Sequence, residues 1–213
     1  MMNQKRILSA SMGMLLFIIM FSMASRSSVE ANGPAPDFSG SSAVAYADRW
    51  ATSFNSNYNR FNSDCTNFAS QALHDPAGGH YPYRETGSNL WWMHWNWWGF
   101  SNTRSWSVVT DNWNFLIADN PGGWDWGYQP TNSNTNNARY GDLLFYDWDG
   151  NGTPDHIGIE AAYSGCDPHQ AGYCGDLQDQ HTNNHYHAIW HLAPYNDHRG
   201  TTRIRLMHID SGN

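Results

Sequence analysis

Positive charge is scarce in this chain of 213 residues: 11 Lys and Arg stand against 19 Asp and Glu. The basic residues thin further once the N-terminus is considered. Lys5 and Arg6 precede a mostly apolar stretch, Ile7 to Met23, that holds no acidic residue, the pattern of an export signal. Small residues place cleavage after Ala31 (Val-Glu-Ala), with Ala24 (Ser-Met-Ala) as the alternative. The apolar stretch is near the short end of the ~17 to 25 residues that a spanning helix needs. Loss of residues 1–31 takes away Lys5, Arg6, Arg26 and Glu30, leaving 8 basic side chains against 18 acidic. A polyanionic partner is therefore not expected, neither nucleic acid nor an anionic membrane surface. No later apolar run is long enough to span a bilayer, so no stable membrane insertion is expected after signal removal, and no internal repeat is visible. Residues 32–40 read as a polar lead-in and 41–210 as one domain, expected to be a monomer in a secreted, extracellular or cell-envelope setting.

Cysteine is the other scarcity. Three in an exported chain leave one unpaired. Cys166 and Cys174 flank a turn-rich loop, Asp167 to Tyr173, that a disulfide can close. Cys65 is then the free thiol, and a free thiol in an oxidising compartment is either buried and inert or has a task.

What surrounds it favours a task. Tyr46, Ala47, Trp50, Ala51 and Phe54 recur at helical spacing within Ala43 to Phe54, predicting a first helix. Asp64 can cap a second helix whose apolar face is Phe68, Ala69, Ala72 and Leu73, and which stops at Asp75-Pro76 and Gly78-Gly79. Cys65 then occupies the first helical position, where the macrodipole and unpaired N–H groups favour a negative sulfur. Residues 80–128 carry nine of the twelve tryptophans, with a helix expected over Val108 to Ala118. Thr131 to Asn137 reads as an exposed polar loop. After residue 140 the period changes to two: Gly141 to Tyr146, His156 to Tyr163, Leu177 to Thr182, Tyr186 to Leu192 and Thr202 to Ile209 are strand patterns. Helices first and strands later predict an α+β domain with an antiparallel sheet.

His156 opens one of those strands, with Gly158 leaving room for the cysteine helix to approach. A cysteine at a helix start met by a histidine at a strand start is how papain-like folds build an acyl-transfer site. His156 is accordingly the expected base. His181 is the favoured residue to orient it, with Asn183 and Asn184 as alternatives. Tyr58, Asn59 and Asn62 are side-chain candidates for oxyanion support beside the backbone N–H of Cys65. Trp91, Trp92 and Trp95 are candidates to line a substrate groove, a role that competes with packing in the core.

Two patterns invite metal assignments. Asp147, Asp149, Asn151 and Asp155 imitate the start of a calcium loop, but Gly158 stands where the bidentate Glu belongs, and a hairpin that aims His156 is the better reading. His181, His185, His187 and His191 suggest zinc, yet they fall on strand patterns with no Cys or paired Glu to complete a set. No metal and no cofactor are expected.

Taken in order, Asp-Cys-Thr-Asn-Phe-Ala-Ser-Gln (64–71), Gly78-Gly79, Ser105-Trp106 with Phe115-Leu116, Gly141-Asp142, Asp-Trp-Asp-Gly-Asn-Gly (147–152), Asp155-His156 and Gln180-His181-Thr182 resemble the bacterial putative amidase domain family across residues 40 to 209. That family is similar to the CHAP- and NlpC-type cell-wall hydrolases. The resemblance implies a papain-like cysteine hydrolase fold, with N-terminal helices packed on a C-terminal antiparallel sheet, and cleavage of amide bonds in peptidoglycan or peptides. Two departures stand out: the Cys166 to Cys174 segment looks like an insertion, and no separate wall-binding module accompanies the domain. A noncatalytic aromatic-lined carbohydrate- or wall-binding module is the competing class, and a transglutaminase-like acyl transferase the competing chemistry.

Overall fold

A computed structural model describes residues 38–120, 123–128, 135 and 137–209. The expected export signal lies outside them, as do most of the lead-in and of the 131–137 loop.

Helix α1 (Gly40–Trp50) starts earlier than the periodicity predicts, because the Ser39 side chain accepts from the Ser42 N–H and caps it. It buries Ala43, Tyr46 and Ala47. The end of the lead-in is not polar surface: Phe38 is buried against Tyr81. Gly79 makes its room, since a Cβ there would lie 2.4 Å from the Phe38 ring. Helix α2 (Cys65–His74) is buried along nearly its whole length. A hairpin follows, β1 (Met93–Asn96) with β2 (Gly99–Asn102), then the short α3 (Arg104–Ser107) and α4 (Val109–Asp119).

The rest is sheet: β3 (Trp124–Tyr128), β4 (Leu143–Asp147), β5 (His156–Cys166), β6 (Cys174–Gln180), β7 (His185–Ile189) and β8 (Arg203–Met207). They form one six-stranded sheet in the order β3-β8-β4-β5-β6-β7, antiparallel throughout. The domain is thus α+β as expected. Alternation along the strands divides the core in two. Leu143, Phe145, Ile157, Ile159 and Met207 pack with Phe68, Leu73, Trp91, Trp106 and Phe115 from the helical side. Leu144, Tyr146, Leu177, Ile204 and Leu206 meet Ile189 and Trp190 on the other.

The β1–β2 hairpin and β3 were not legible as strands in the tryptophan-rich segment. Thr135 corrects the exposed-loop reading at its own position: it is buried, and its N–H and hydroxyl both donate to Asp176 Oδ2. Cys166 and Cys174 form the expected disulfide, joining paired positions of β5 and β6. No helix among the described residues is long and apolar enough to cross a membrane.

Candidate active site

Cys65 is the first residue of α2, and His156 is the first residue of β5. The helix start abuts the strand start, so that the Ile157 N–H and the His156 imidazole both reach the Cys65 sulfur. Both side chains are almost wholly buried. Burial alone would push the thiol up and the imidazole down. Each is reversed by the other: charge and hydrogen bonding with His156 bring the thiol below its ordinary value, and the same interactions with Cys65, helped by Gln180, carry His156 above its own. Such a pair can hold a thiolate beside an imidazolium.

The side chain that meets His156 is that of Gln180; His181, expected to orient it, does not. Gln180 Oε1 lies 2.9 Å from His156 Nε2. His181 follows the last residue of β6 and meets neither Cys65 nor His156. Its Nδ1 is 2.7 Å from Asp64 Oδ2 and its Nε2 is 2.8 Å from the Trp50 carbonyl, so both ring nitrogens are already used. It stacks on Phe68 and satisfies a carbonyl in the last turn of α1. Asn183 borders the cleft, and its carbonyl accepts from Gln180 Nε2 at 3.1 Å. Asn184 lines a neighbouring cavity instead. Gly158 makes room for Gln178 rather than for α2: a Cβ there would stand 2.1 Å from Gln178 Oε1.

Asp64 holds the N-cap position of α2 without capping it through its side chain. Its Oδ1 accepts from the Phe61 N–H and from Asn67 Nδ2, while Oδ2 serves His181. Thr182 does the work at the helix start: its Oγ1 accepts from the N–H of Asp64 at 2.7 Å and of Cys65 at 3.2 Å. The Cys65 N–H is therefore engaged rather than free. To reach that position Thr182 adopts φ +61, a left-handed conformation that a β-branched residue rarely takes.

The expected oxyanion side chains lie elsewhere. Tyr58 stacks on Trp106, the Asn59 carbonyl accepts from Asn67 Nδ2, and Asn62 lines a separate cavity. The tryptophans are likewise not the groove. Trp91 is fully buried in the core, Trp92 stacks on His94, and Trp95 packs on Phe100 in the β1–β2 hairpin. Cys65 opens instead onto a cleft of about 350 Å³ walled by Trp148, His185, Tyr195 and Asn196. A second groove of about 310 Å³, bordered by Ser107, Val109 and Pro154, shares Cys65 and Asp155 with the first. An extended substrate can therefore run across the sulfur.

The aspartate-rich loop is a turn held by its own carboxylates. Asp147 accepts from the N–H groups of Asn151 and Gly152, Asp149 also from Asn151, and Asp155 from Trp148. Trp148, delivered by that turn, stacks on the His156 ring.

A family model described as "Putative amidase domain" matches residues 37–204, and the chain belongs to that family. The family supports hydrolysis of amide bonds. An uncharacterized protein, YhbB of Bacillus subtilis (strain 168), is 31% identical over 137 residues, which is 62% of this chain and 40% of that protein. The match thus spans two-fifths of the relative's length. No solved structure matches the chain.

Proposed function

We propose that this member of the putative amidase domain family is an exported cysteine hydrolase of papain-like design, acting on peptide amides such as those of peptidoglycan. The single observation that carries the reading is the line Cys65, His156, Gln180 beneath an open cleft. With Nε2–H held by Gln180, the His156 Nδ1 faces the sulfur and takes its proton. The thiolate attacks the amide carbonyl carbon, forming a C–S bond. His156 then gives its proton to the leaving nitrogen as the C–N bond breaks. Water, losing a proton to His156, attacks the thioester, and the carboxylic acid departs with the thiol restored. Thr182 already accepts from two N–H groups, so its hydroxyl hydrogen is left to donate, and we assign it to the developing oxyanion.

Hydrolysis is preferred to acyl transfer because Asn183, Asp197 and His198 on the rim are exposed, leaving the cleft open to water. The noncatalytic wall-binding reading has one observation in its favour: Trp95, Trp97 and Trp98 are 72%, 91% and 92% exposed on the hairpin.

The test is the pH dependence of Cys65 alkylation by iodoacetamide in wild type and His156→Ala, paired with amine release from peptidoglycan fragments. Reaction well below pH ~8.5, the free-thiol range, lost in the mutant and accompanied by turnover, supports the hydrolase. A thiol that is inert, or that titrates alike in both proteins, removes it. Peptidoglycan binding retained in Cys65→Ala without turnover in wild type would put the aromatic module in its place.

A further inference from the structure

On the face of β6 turned away from Gln180, three potential ligands converge from three elements: Asp48 of α1, Asp179 of β6 and His187 of β7. Their ligating atoms all lie within 4.8 Å of one another. His187 Nε2 is 2.9 Å from Asp48 Oδ1, and the His187 N–H donates to Asp179 Oδ1 at 2.7 Å. Asp179 is fully buried, and its second oxygen, Oδ2, has no hydrogen-bond partner among the described residues. Burial first, and then the nearby Asp48 carboxylate, raise the Asp179 carboxyl's affinity for its proton. Neither carboxylate is paired with Lys or Arg among the described residues.

We propose that Asp48, Asp179 and His187 form a structural binding site for a first-row divalent transition cation of the zinc class. Two neighbouring carboxylates are relieved by a cation between them, and a buried oxygen without a hydrogen-bond partner gains one as its ligand. Ligand bonds of about 2.0–2.2 Å reach a common centre from this grouping after a small shift of the partly exposed Asp48 and His187 side chains. The imidazole in the set selects against calcium and magnesium, which take oxygen alone. Asp48 and His187 are partly exposed, leaving an entry path and room for water on the open side. Bound there, the ion clamps α1 to the β6–β7 hairpin, whose turn carries His181 and Thr182 onto the start of α2.

The probe is zinc chloride, titrated calorimetrically into chelator-treated, tag-free Cys65→Ser protein so that the thiol takes no metal, with thermal unfolding followed in parallel. One ion per chain is expected, with a raised Tm. His187→Gln and Asp48→Asn, at partly exposed positions that tolerate change, should each weaken binding by at least the roughly tenfold that an outer-shell partner is worth. Equal affinity in both variants overturns the site. So does an absence of heat and of any Tm change, the result expected if the two carboxylates merely share a proton.

Discussion

Gln180 Oε1 lies 2.9 Å from His156 Nε2 and accepts at 3.1 Å from Gln178 Nε2, while Gln180 Nε2 donates at 3.1 Å to the Asn183 carbonyl. The amide is thereby locked against rotation. Flipping it would turn NH2 onto two other N–H groups and forfeit the bond to Asn183. An acceptor so fixed favours the proton on the His156 Nε2 and leaves Nδ1 as the nitrogen for the sulfur.

Gln180→Ala should therefore lower kcat on the order of 10²-fold, the cost of misplacing a reacting group by about 1 Å, with KM little changed. His181→Gln should do the converse. It breaks a buried pair with Asp64 and loses about 3–5 kcal/mol of stability, yet the protein that remains folded keeps its kcat. Steady-state kinetics beside urea unfolding separate the two. A kcat loss confined to the His181 variant would return the orienting role to it.

The mutual shifts at Cys65 and His156 predict a bell-shaped dependence of kcat/KM on pH. The thiol is lowered and the imidazole raised, and each shift favours the thiolate–imidazolium form. Activity is lost on the acid side as the thiolate is protonated, and on the basic side as His156 loses its proton. The acid limb should follow the alkylation profile of Cys65, and His156→Ala should move that profile upward. Limbs that do not follow the alkylation profile would detach the thiol from the chemistry.

How legible this was depended on strand parity. The helix over 65–74 and the strand opening at His156 could be read from capping and alternation. Lying within the strand pattern favours His181 over Asn183 and Asn184, but it does not say on which face a side chain falls, and Gln180 is the neighbour that meets His156. In an antiparallel pair, residues sharing a face keep the parity set by any one cross-strand pair. The Cys166–Cys174 pair is even–even, and the two register shifts between it and Ile159↔Asp179 cancel in parity. The even residues of β6, Gln178 and Gln180, thus lie on the face of His156, the parity that the disulfide pairing also has. Nothing local announces Thr182 as the group that meets the start of α2, because its partners are over a hundred residues away. The tryptophans misled for a different reason: Trp91 and Trp97 are alike in sequence context, but one is at the centre of the core and the other at a hairpin tip.

Thr182→Val removes the hydroxyl that accepts from two N–H groups at the head of α2. The variant keeps the shape and the same strained backbone, so its effect isolates the hydrogen bonds. Leaving those donors unpaired should cost about 1–3 kcal/mol, measured by urea unfolding. Thr182→Ser should recover most of it. If the hydroxyl also serves the oxyanion, kcat in Thr182→Val falls by more than the loss of folded protein explains.

Glu160 gives a stability prediction of opposite sign. Its carboxyl is fully buried on β5, and neither oxygen has a hydrogen-bond partner among the described residues. Burial first, and then Asp176 and Asp142, push it well above the usual carboxylate range. The folded protein keeps the proton while the unfolded chain releases it near pH ~4.3. Above that pH the folded state binds the extra proton, so raising the pH favours unfolding, by ~1.4 kcal/mol per unit, until the folded value is passed. Glu160→Gln has no such proton to hold. Its stability relative to wild type should climb by that increment per unit through the window, whereas Asp179, similarly raised, bears on both proteins and cancels from the difference. Urea unfolding of the two at pH 4, 6 and 8 measures it. A difference that stays flat across the three would mean that Glu160 ionises in the fold, with a partner for its charge.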